Sequence, residues 1–372
     1  MIRIQNIPAL ILSCQISDVT ILTDKEFVDI SVRSSTQTLL DERYFASDNN
    51  IILYDVRSLL EQFIRDAQIV VETFSIIAQY LPTDGESEVV EVNFSCIFCS
   101  RDIDIFDIEP LLKSCFLTSA TARRVAPECF LFLPYFAFAG ESIAYYVYCD
   151  YCIKDAEDEL QLTSGYTSFL GGNANTIVHN DDFGYLTIYL PAVTEQAEKV
   201  VGKTIEVTAM TIRMGNRAAS FFIDKSLSGT RPFYFRNCFN VPDNFFVPAV
   251  TTAKTKVDRS LAVLGKASQF YDTSCEQSFE IQSAGLTHDE CSLAEQMFCS
   301  DDVRTPFESA PDDADFDALR QVLISDSTYE IVDIPEKPCQ VKFTWRYASN
   351  RIAQKNPVKD ELFTEQYNYS FK

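Results

Sequence analysis

No stretch of the 372 residues approaches the ~20 continuous apolar residues that a membrane-crossing helix needs, so no membrane span is expected. Glycine is scarce, at 11 residues. Neither a glycine-rich phosphate cradle nor a G-x-S-x-G nucleophile elbow occurs. There are two histidines. His179 lies in Ile177-Val178-His179-Asn180-Asp181-Asp182, where it could serve as a base beside two carboxylates, but a His near a turn is more often simply solvated, and no nucleophile is placed near it by sequence. Asn180, Asp181 and Asp182 are consecutive, so they lack the alternating ligands of a calcium loop. Basic residues are in deficit: 31 Lys and Arg against 54 Asp and Glu give a formal charge of −23. Phosphate binding needs a concentrated positive surface, so stable nucleic-acid binding is not expected. The charge fits a soluble acidic protein kept apart by self-repulsion, and equally a ring whose lumen repels DNA so that it slides through. In so acidic a chain, paired carboxylates say nothing about glycoside hydrolysis. The reading is of a protein that is not an enzyme, with no catalytic residue, cofactor or metal site.

Aromatics and cysteines, by contrast, are plentiful. Twenty-nine Phe and 17 Tyr indicate β-rich packing around large side chains. The 12 Cys are irregularly spaced in a chain large enough to build apolar cores, which reads as mostly buried free thiols made in a reducing cytoplasm. Two Cys-x-x-Cys pairs, Cys96/Cys99 and Cys149/Cys152, could in principle supply four thiolates to zinc. Cys96 shares a strand face with Val90, Val92, Phe94 and Phe98, so Cys99 points to the opposite side. Neither pair has the turn glycine that would bring its sulfurs together.

Along the chain, Ala9 to Ser17, Val19 to Leu22, Phe27 to Val32 and Ile51 to Tyr54 read as strands. Asp55 is a candidate cap for a helix whose Val56, Leu59, Leu60, Phe63 and Ile64 form one apolar stripe. Ile69 to Leu81 and Glu88 to Cys99 flank Asp84-Gly85, a strong hairpin signal. Pro110 to Leu117 suggests a short helix, and a domain boundary is placed there. Between 118 and 230 come strands at Phe130 to Ala139, Ser142 to Ile153, Tyr185 to Leu190, Thr204 to Met214 and Arg217 to Ile223, the last two joined by Gly215-Asn216 in a glycine-first turn. Ala156 to Leu162, Gly171 to Asn175, Asn180 to Gly184 and Thr194 to Lys203 read as loops. The expected fold is mainly β with a few short helices, in β-sandwich or small-barrel domains: 1–117 with one covering helix, 118–230 sandwich-like, 231–348 with a short capped helix, and a polar arm over 349–372.

Arg231-Pro232-Phe233-Tyr234-Phe235-Arg236 sets aromatics between arginines, and the next stretch of chain is interrupted by Pro242 and Pro248. Repeated prolines suggest a connector lying on a surface. Lys254, Lys256 and Arg259 form the nearest thing to a basic patch, suited to an acidic neighbour such as another copy of the chain. The last residues, with Tyr367 and Tyr369, cannot form a core and read as a disordered or docking arm. Candidate subunit contacts are therefore Arg231, Phe233, Phe235, Arg236, Lys254, Lys256, Arg259, Tyr367 and Tyr369.

The best-ordered stretch runs from Phe279 to Tyr347. Thr287 and Glu290 form a capping box, with Leu286 and Cys291 as a hydrophobic staple and His288 as the first helical residue. Leu293, Met297 and Phe298 give that helix a short apolar face. Leu319 to Ser325 and Thr328 to Asp333 read as a hairpin with Asp326-Ser327 at its tip, followed by a long strand, Cys339 to Ala348. There Val341, Phe343, Trp345 and Tyr347 alternate with Lys342, Thr344 and Arg346.

Through Val322-Leu323-Ile324-Ser325-Asp326-Ser327 and Val341-Lys342-Phe343-Thr344-Trp345, residues 231 to 348 resemble the C-terminal part of tail-tip and baseplate proteins of tailed bacteriophages, especially phage or prophage proteins from gut Bacteroidetes. The resemblance implies a virion structural protein of the distal-tail kind, made in the bacterial host cytoplasm and assembled with copies of itself into a ring-like homo-oligomer. Such a ring would join the tail tube to other phage tail proteins. The rival reading is a bacterial surface lipoprotein that binds glycans through exposed aromatics, with Cys14 of Ile11-Leu12-Ser13-Cys14 as its mature N-terminus. Arg3 as the sole basic residue there, with Gln5, Asn6 and Pro8 breaking the apolar run, makes a poor signal, and a first strand is favoured. A hydrolase built on His179 and its aspartates is the third reading.

Overall fold

The computed structural model describes residues 1–82, 86–103, 107–154, 160–172, 182–264, 267–306, 316–330 and 338–349. The protein is mainly β, with several sheets and no closed barrel among the described residues. The sheets fall into three successive segments of sequence.

The first segment holds β1 (Ile2–Ile4), β2 (Leu10–Leu12), β3 (Val19–Thr23), β4 (Phe27–Arg33), β5 (Thr38–Phe45), β6 (Asn50–Leu53), α1 (Val56–Asp66), β7 (Val71–Tyr80), β8 (Glu88–Ile97) and α2 (Ile108–Ser114). A three-stranded sheet, β1-β3-β6, and a five-stranded sheet, β2-β8-β7-β4-β5, share one core. Helix α1 sends Val56, Leu60 and Ile64 into that core, with Leu59 and Phe63 packed at its margin. The apolar stripe forms as its spacing predicts, but the cap does not. Asp55 is left-handed at φ 56, and its side chain makes no cap hydrogen bond. The expected strand Ala9 to Ser17 is also shorter, because after Leu12 the chain tightens into a 3-10 turn over Ser13–Gln15. β7 and β8 pair antiparallel from Val71/Ile97 to Tyr80/Glu88; the Asp84-Gly85 tip lies outside the described residues. α2 starts earlier than expected because Asp107 caps it, accepting the Glu109 N–H at 3.1 Å.

The second segment holds β9 (Ala122–Val125), β10 (Phe130–Ala137), β11 (Tyr146–Lys154), β12 (Leu160–Leu170), β13 (Asp182–Tyr189), α3 (Leu190–Val201), β14 (Ile205–Met214) and β15 (Arg217–Ile223). β12-β11-β14-β15-β9 form one sheet and β10-β13 a second. Three expected loops are corrected here. Residues 160–162 open β12, residues 182–184 open β13, and Thr194 to Lys203 is mostly helix α3. That helix carries Pro at its start, buried Val193 and Ala197 one turn apart, and Gly202 as a left-handed cap at φ 71. Proline at the start and glycine past the end are the ordinary asymmetry of helix termini. Between β14 and β15, Gly215 takes the positive φ, 57°, that a glycine-first turn requires.

The third segment holds β16 (Pro232–Arg236), β17 (Pro242–Phe246), β18 (Ala249–Leu264), β19 (Ala267–Ser283), α4 (His288–Phe298), β20 (Val303–Thr305), β21 (Arg320–Glu330) and β22 (Gln340–Tyr347), in one seven-stranded sheet ordered β17-β16-β20-β21-β22-β19-β18. The connector expected over 231–260 is core from 232 to 248, while 250–259 lies exposed, as part of strand β18. Phe233, Tyr234, Phe235, Val241, Phe245 and Phe246 are all buried. Pro232 and Pro242 are the first residues of their strands and β17 is a sheet edge, two positions where a missing N–H is tolerated. The hairpin expected at Asp326-Ser327 is likewise corrected. β21 runs through it, pairing with β22 on both sides, and the register shifts between Ser325 and Thr328. One extra residue is absorbed as a bulge, so the polar pair marks an irregularity in one strand rather than a turn between two.

Helix α4 keeps its capping box: Glu290 N donates to Thr287 Oγ1 at 3.2 Å, and Thr287 N donates to Glu290 Oε2 at 3.0 Å. Glu290 has a second task, because Arg124 on β9 donates Nε to Oε1 at 2.8 Å and Nη2 to Oε2 at 2.6 Å. The cap therefore also clamps the second segment to the third. Burial alone would raise the Glu290 carboxyl, but the Arg124 guanidinium and the Thr287 N–H outweigh it and hold the group below its ordinary 4.5. A carboxyl with a depressed folded pKa contributes stability above its unfolded pKa, and loses it as pH falls through the folded value. Glu290→Gln is expected to cost about 2 kcal/mol at pH 7, and the gap between wild type and variant to close below pH 4.5. Melting curves from pH 7 down to pH 3 check this; a gap that stays constant throughout would refute it.

Candidate interaction surfaces

The seven-stranded sheet ends in an arm. β18 and β19 pair along their whole described length, from Ala249/Ser283 to Leu264/Ala267, but β19 meets β22 only from Phe279 to Gln282. Beyond Lys254 no third strand pairs with them among the described residues, although Arg346 of β22 still reaches Glu276. Residues 254 to 264 would extend roughly 35 Å at the usual rise per residue. β18 is also the outermost strand among the described residues, so its outer edge presents backbone groups that no described strand pairs.

The arm has two unlike faces. Opposed residues in an antiparallel pair share a face. Ala253, Val257 and Leu261 therefore lie with Cys275 and Phe279, interspersed with Thr255, Arg259 and Gln277, and this row continues outward from the core, where Phe279 stacks on Trp345 with centroids 4.3 Å apart. Val257 is 46% exposed and Leu261 55%. The other face is ionic: Glu280 accepts from Lys254 and from Lys342 at 2.7 Å, Lys256 meets Asp258 at 2.9 Å, and Arg346 meets Glu276 at 2.6 Å. Lys254, then Lys342, pulls the Glu280 carboxyl down to about 2.

Of the expected contact residues, Lys254, Lys256 and Arg259 come together on this exposed arm. Lys254 and Lys256 are neutralised locally by carboxylates, so the basic patch expected from sequence is an ion-pair lattice. Arg259 stands on the apolar face. Phe233 and Phe235 are fully buried and cannot reach another subunit in this fold; Phe233 packs against Phe343 and Trp345. Arg236 is held by Asp302 and by the Asn240 carbonyl. Arg231 donates to Tyr347 Oη and to the Pro306 carbonyl. Alternation within 231–236 hid this, because aromatics beside proline look alike on a surface and in a core. Tyr367 and Tyr369 lie outside the described residues.

A second exposed surface was not foreseen. The outer face of β12-β11-β14-β15 brings Leu170, Tyr146, Arg213 and Ala218 into one row, and Ser168, Tyr148, Thr211 and Ser220 into the next. A third row holds Tyr166, Asp150, Ala209 and Phe222. Tyr146, Tyr166, Leu170 and Phe222 are exposed, Tyr166 at 61%. Tyr148 and Tyr166 stack 6.1 Å apart with their planes within 26°. The Arg213 guanidinium lies 5.4 Å from the Tyr148 ring centre. The signal was in the sequence: Tyr146 and Tyr148 alternate with core residues Val147 and Cys149.

The cysteine pairs do not converge. Cys96 belongs to the first core and Cys99 to a separate cluster where all three segments meet, so they point to opposite sides, as their spacing predicts. Cys149 is buried, and burial pushes its thiol up to about 12. Ten cysteines are free, and Cys291 is bonded to Cys339, tying α4 to β22. No group of His, Cys, Asp and Glu suited to a metal is found among the described residues. His288 opens α4, and His179, Asn180 and Asp181 lie outside the described residues. β1 and β2 supply buried Ile2, Ile4, Ile11 and Leu12, so cleavage before Cys14 would strip two strands from the first core. No described helix is long and apolar enough to cross a membrane.

These features define a mainly β protein with an exposed two-stranded arm. No protein-family model, curated protein or solved structure matches the chain.

Proposed function

We propose that this chain is a structural subunit of a bacteriophage tail, placed at the tail tip or baseplate, where copies of it join one another and connect the tail tube to other tail proteins. The observation that carries the reading is the β18–β19 arm. A lone two-stranded hairpin is at best marginally stable in water, and this one exposes Val257 and Leu261 on a face continuous with its own core. An arm of this kind gains its stability by lying on another subunit. The ionic face and the charged edge strand oppose indiscriminate sheet extension while leaving the apolar face available. The resemblance of residues 231–348 to tail-tip and baseplate proteins supports the same reading, and in such a ring the net negative charge would favour free passage of DNA.

Mass photometry of the full chain tests this. Wild type is expected to form assemblies well above its 42.2 kDa subunit mass. Val257→Asp with Leu261→Asp should remove about 2 kcal/mol per residue of interface energy, roughly 30-fold each in dissociation constant. Both residues are exposed, so the melting temperature should hold. Identical mass distributions for wild type and variant would defeat the proposal.

A further inference from the structure

The outer face of β12-β11-β14-β15 combines four features that bear on its ligand. Tyr146, Tyr166 and Phe222 are exposed and Tyr148 is half-buried, and the Tyr148–Tyr166 stack and Phe222 flank a strip formed by Ala209, Thr211 and Ser220. That strip carries hydroxyls, with Thr211 and Ser220 oxygens 3.0 Å apart. Within these three rows the charged residues are one carboxylate, Asp150, and one guanidinium, Arg213, whose formal charges cancel. The whole chain carries −23.

From this geometry we infer that the face is a binding site for a neutral saccharide. The face of an aromatic ring is its negative pole, and the polarised C–H groups on one side of a pyranose ring supply the matching positive surface. The hydroxyls around the sugar's rim need both donors and acceptors. Arg213 donates only, the Asp150 carboxylate accepts, and the Thr and Ser hydroxyls do either, which is the mixed set a polyol requires. Nucleic-acid bases also stack on exposed rings, but a strand needs a positive groove for its phosphates. Here Arg213 is offset by Asp150, within a strongly acidic protein. The same repulsion disfavours uronic-acid and sulfated glycans, so the ligand is an uncharged sugar chain. The inference is independent of the assembly role, since the arm lies on a different sheet.

Affinity electrophoresis of the full chain through native gels containing a soluble β-glucan, a mannan or a galactan, with polygalacturonate as the charged control, tests it. At least one neutral polymer is expected to retard wild type, and polygalacturonate none. Tyr148→Ala with Tyr166→Ala should weaken retardation by at least roughly tenfold, the loss of about 1.4 kcal/mol or more. Asp150→Asn, which keeps the rings and the shape, should weaken it to a smaller extent and guards against misfolding of the double variant. Retardation by none of the three neutral polymers, or equal retardation of wild type and both variants, would overturn the proposal. So would a shift of Tyr166→Ala toward smaller assemblies in mass photometry, which would make the face a contact between copies.

Discussion

Asp243→Ala is expected to destabilise the protein by about 3–5 kcal/mol, the usual result of stranding one partner of a buried ion pair. Asp243 is fully buried on β17. Its carboxylate accepts from Arg123 Nη1 at 2.7 Å, from Thr118 Oγ1 at 2.6 Å and from the Asn244 N–H at 2.8 Å. Arg123 lies on β9 and is almost as buried, and its Nη2 donates to Asn244 Oδ1 at 3.2 Å. Asn244 Oδ1 also accepts the Phe132 N–H of β10 at 3.2 Å. One aspartate thus ties the second segment's strands to the third segment's sheet. Removing it leaves a guanidinium in a dry interior with no counter-charge, and that desolvation, more than the lost attraction, sets the size of the effect. Replacing both partners with apolar residues, Arg123→Met with Asp243→Leu, is therefore expected to cost less than Asp243→Ala alone. Urea unfolding of Arg123→Met, Asp243→Leu and their double gives the cycle, with Asp243→Ala measured beside it. A single-variant loss under about 1 kcal/mol would mean that the pair contributes little to holding the segments together.

Trp345→Ala is expected to cost about 3–5 kcal/mol, in the range for emptying a large aromatic site. The indole of this one tryptophan is fully buried. It stacks on Phe279 at 4.3 Å and meets Phe233 and Tyr347 edge to face at 5.6 and 5.3 Å. It therefore joins β16, β19 and β22, and it lies at the base of the arm. Its Nε1 is buried without a hydrogen-bond partner among the described residues. Trp345→Phe removes that N–H while keeping a ring in the site, so its cost is expected to fall well below that of alanine, at about 1–1.5 kcal/mol. Urea midpoints followed by circular dichroism compare the two. If phenylalanine costs as much as alanine, the indole N–H is satisfied and the packing account of this site is wrong.

Local pattern read well where one element obeyed one period. The α1 stripe, the Thr287–Glu290 box and the alternation from Val341 to Tyr347 all arise from residues within a turn or a strand of each other, and each formed as expected. Proline misled at 231–260, because it reports only that an N–H is missing, and a strand's first residue and a sheet edge both tolerate that. Asp326-Ser327 misled because a bulge and a turn use the same residue types; which one forms depends on whether the residues after it continue along β22. The α3 helix is legible in its proline, its glycine and its four-residue spacing, but it is short and lies between strands, where a polar loop has the same composition.

The candidate surfaces divide in the same way. Lys254, Lys256 and Arg259 were singled out for their charge, and they do share an exposed arm. That Lys254 and Lys256 face carboxylates while Arg259 sits on the apolar side depends on a register with β19. The tyrosines of β11 and β12 could be seen to alternate, but not to meet Arg213 and Phe222.

By itself, the sequence determined a mainly β fold, the acidic charge that disfavours phosphate, and the capped helix, because periodicity, net charge and capping depend on residues close in the chain or on none in particular. Only the tertiary structure decided which aromatics are buried, which lysines are neutralised and that β18–β19 stands away from the body. Those outcomes depend on pairings between strands far apart in sequence, and a one-residue change of register would turn every side chain on the arm to its other face.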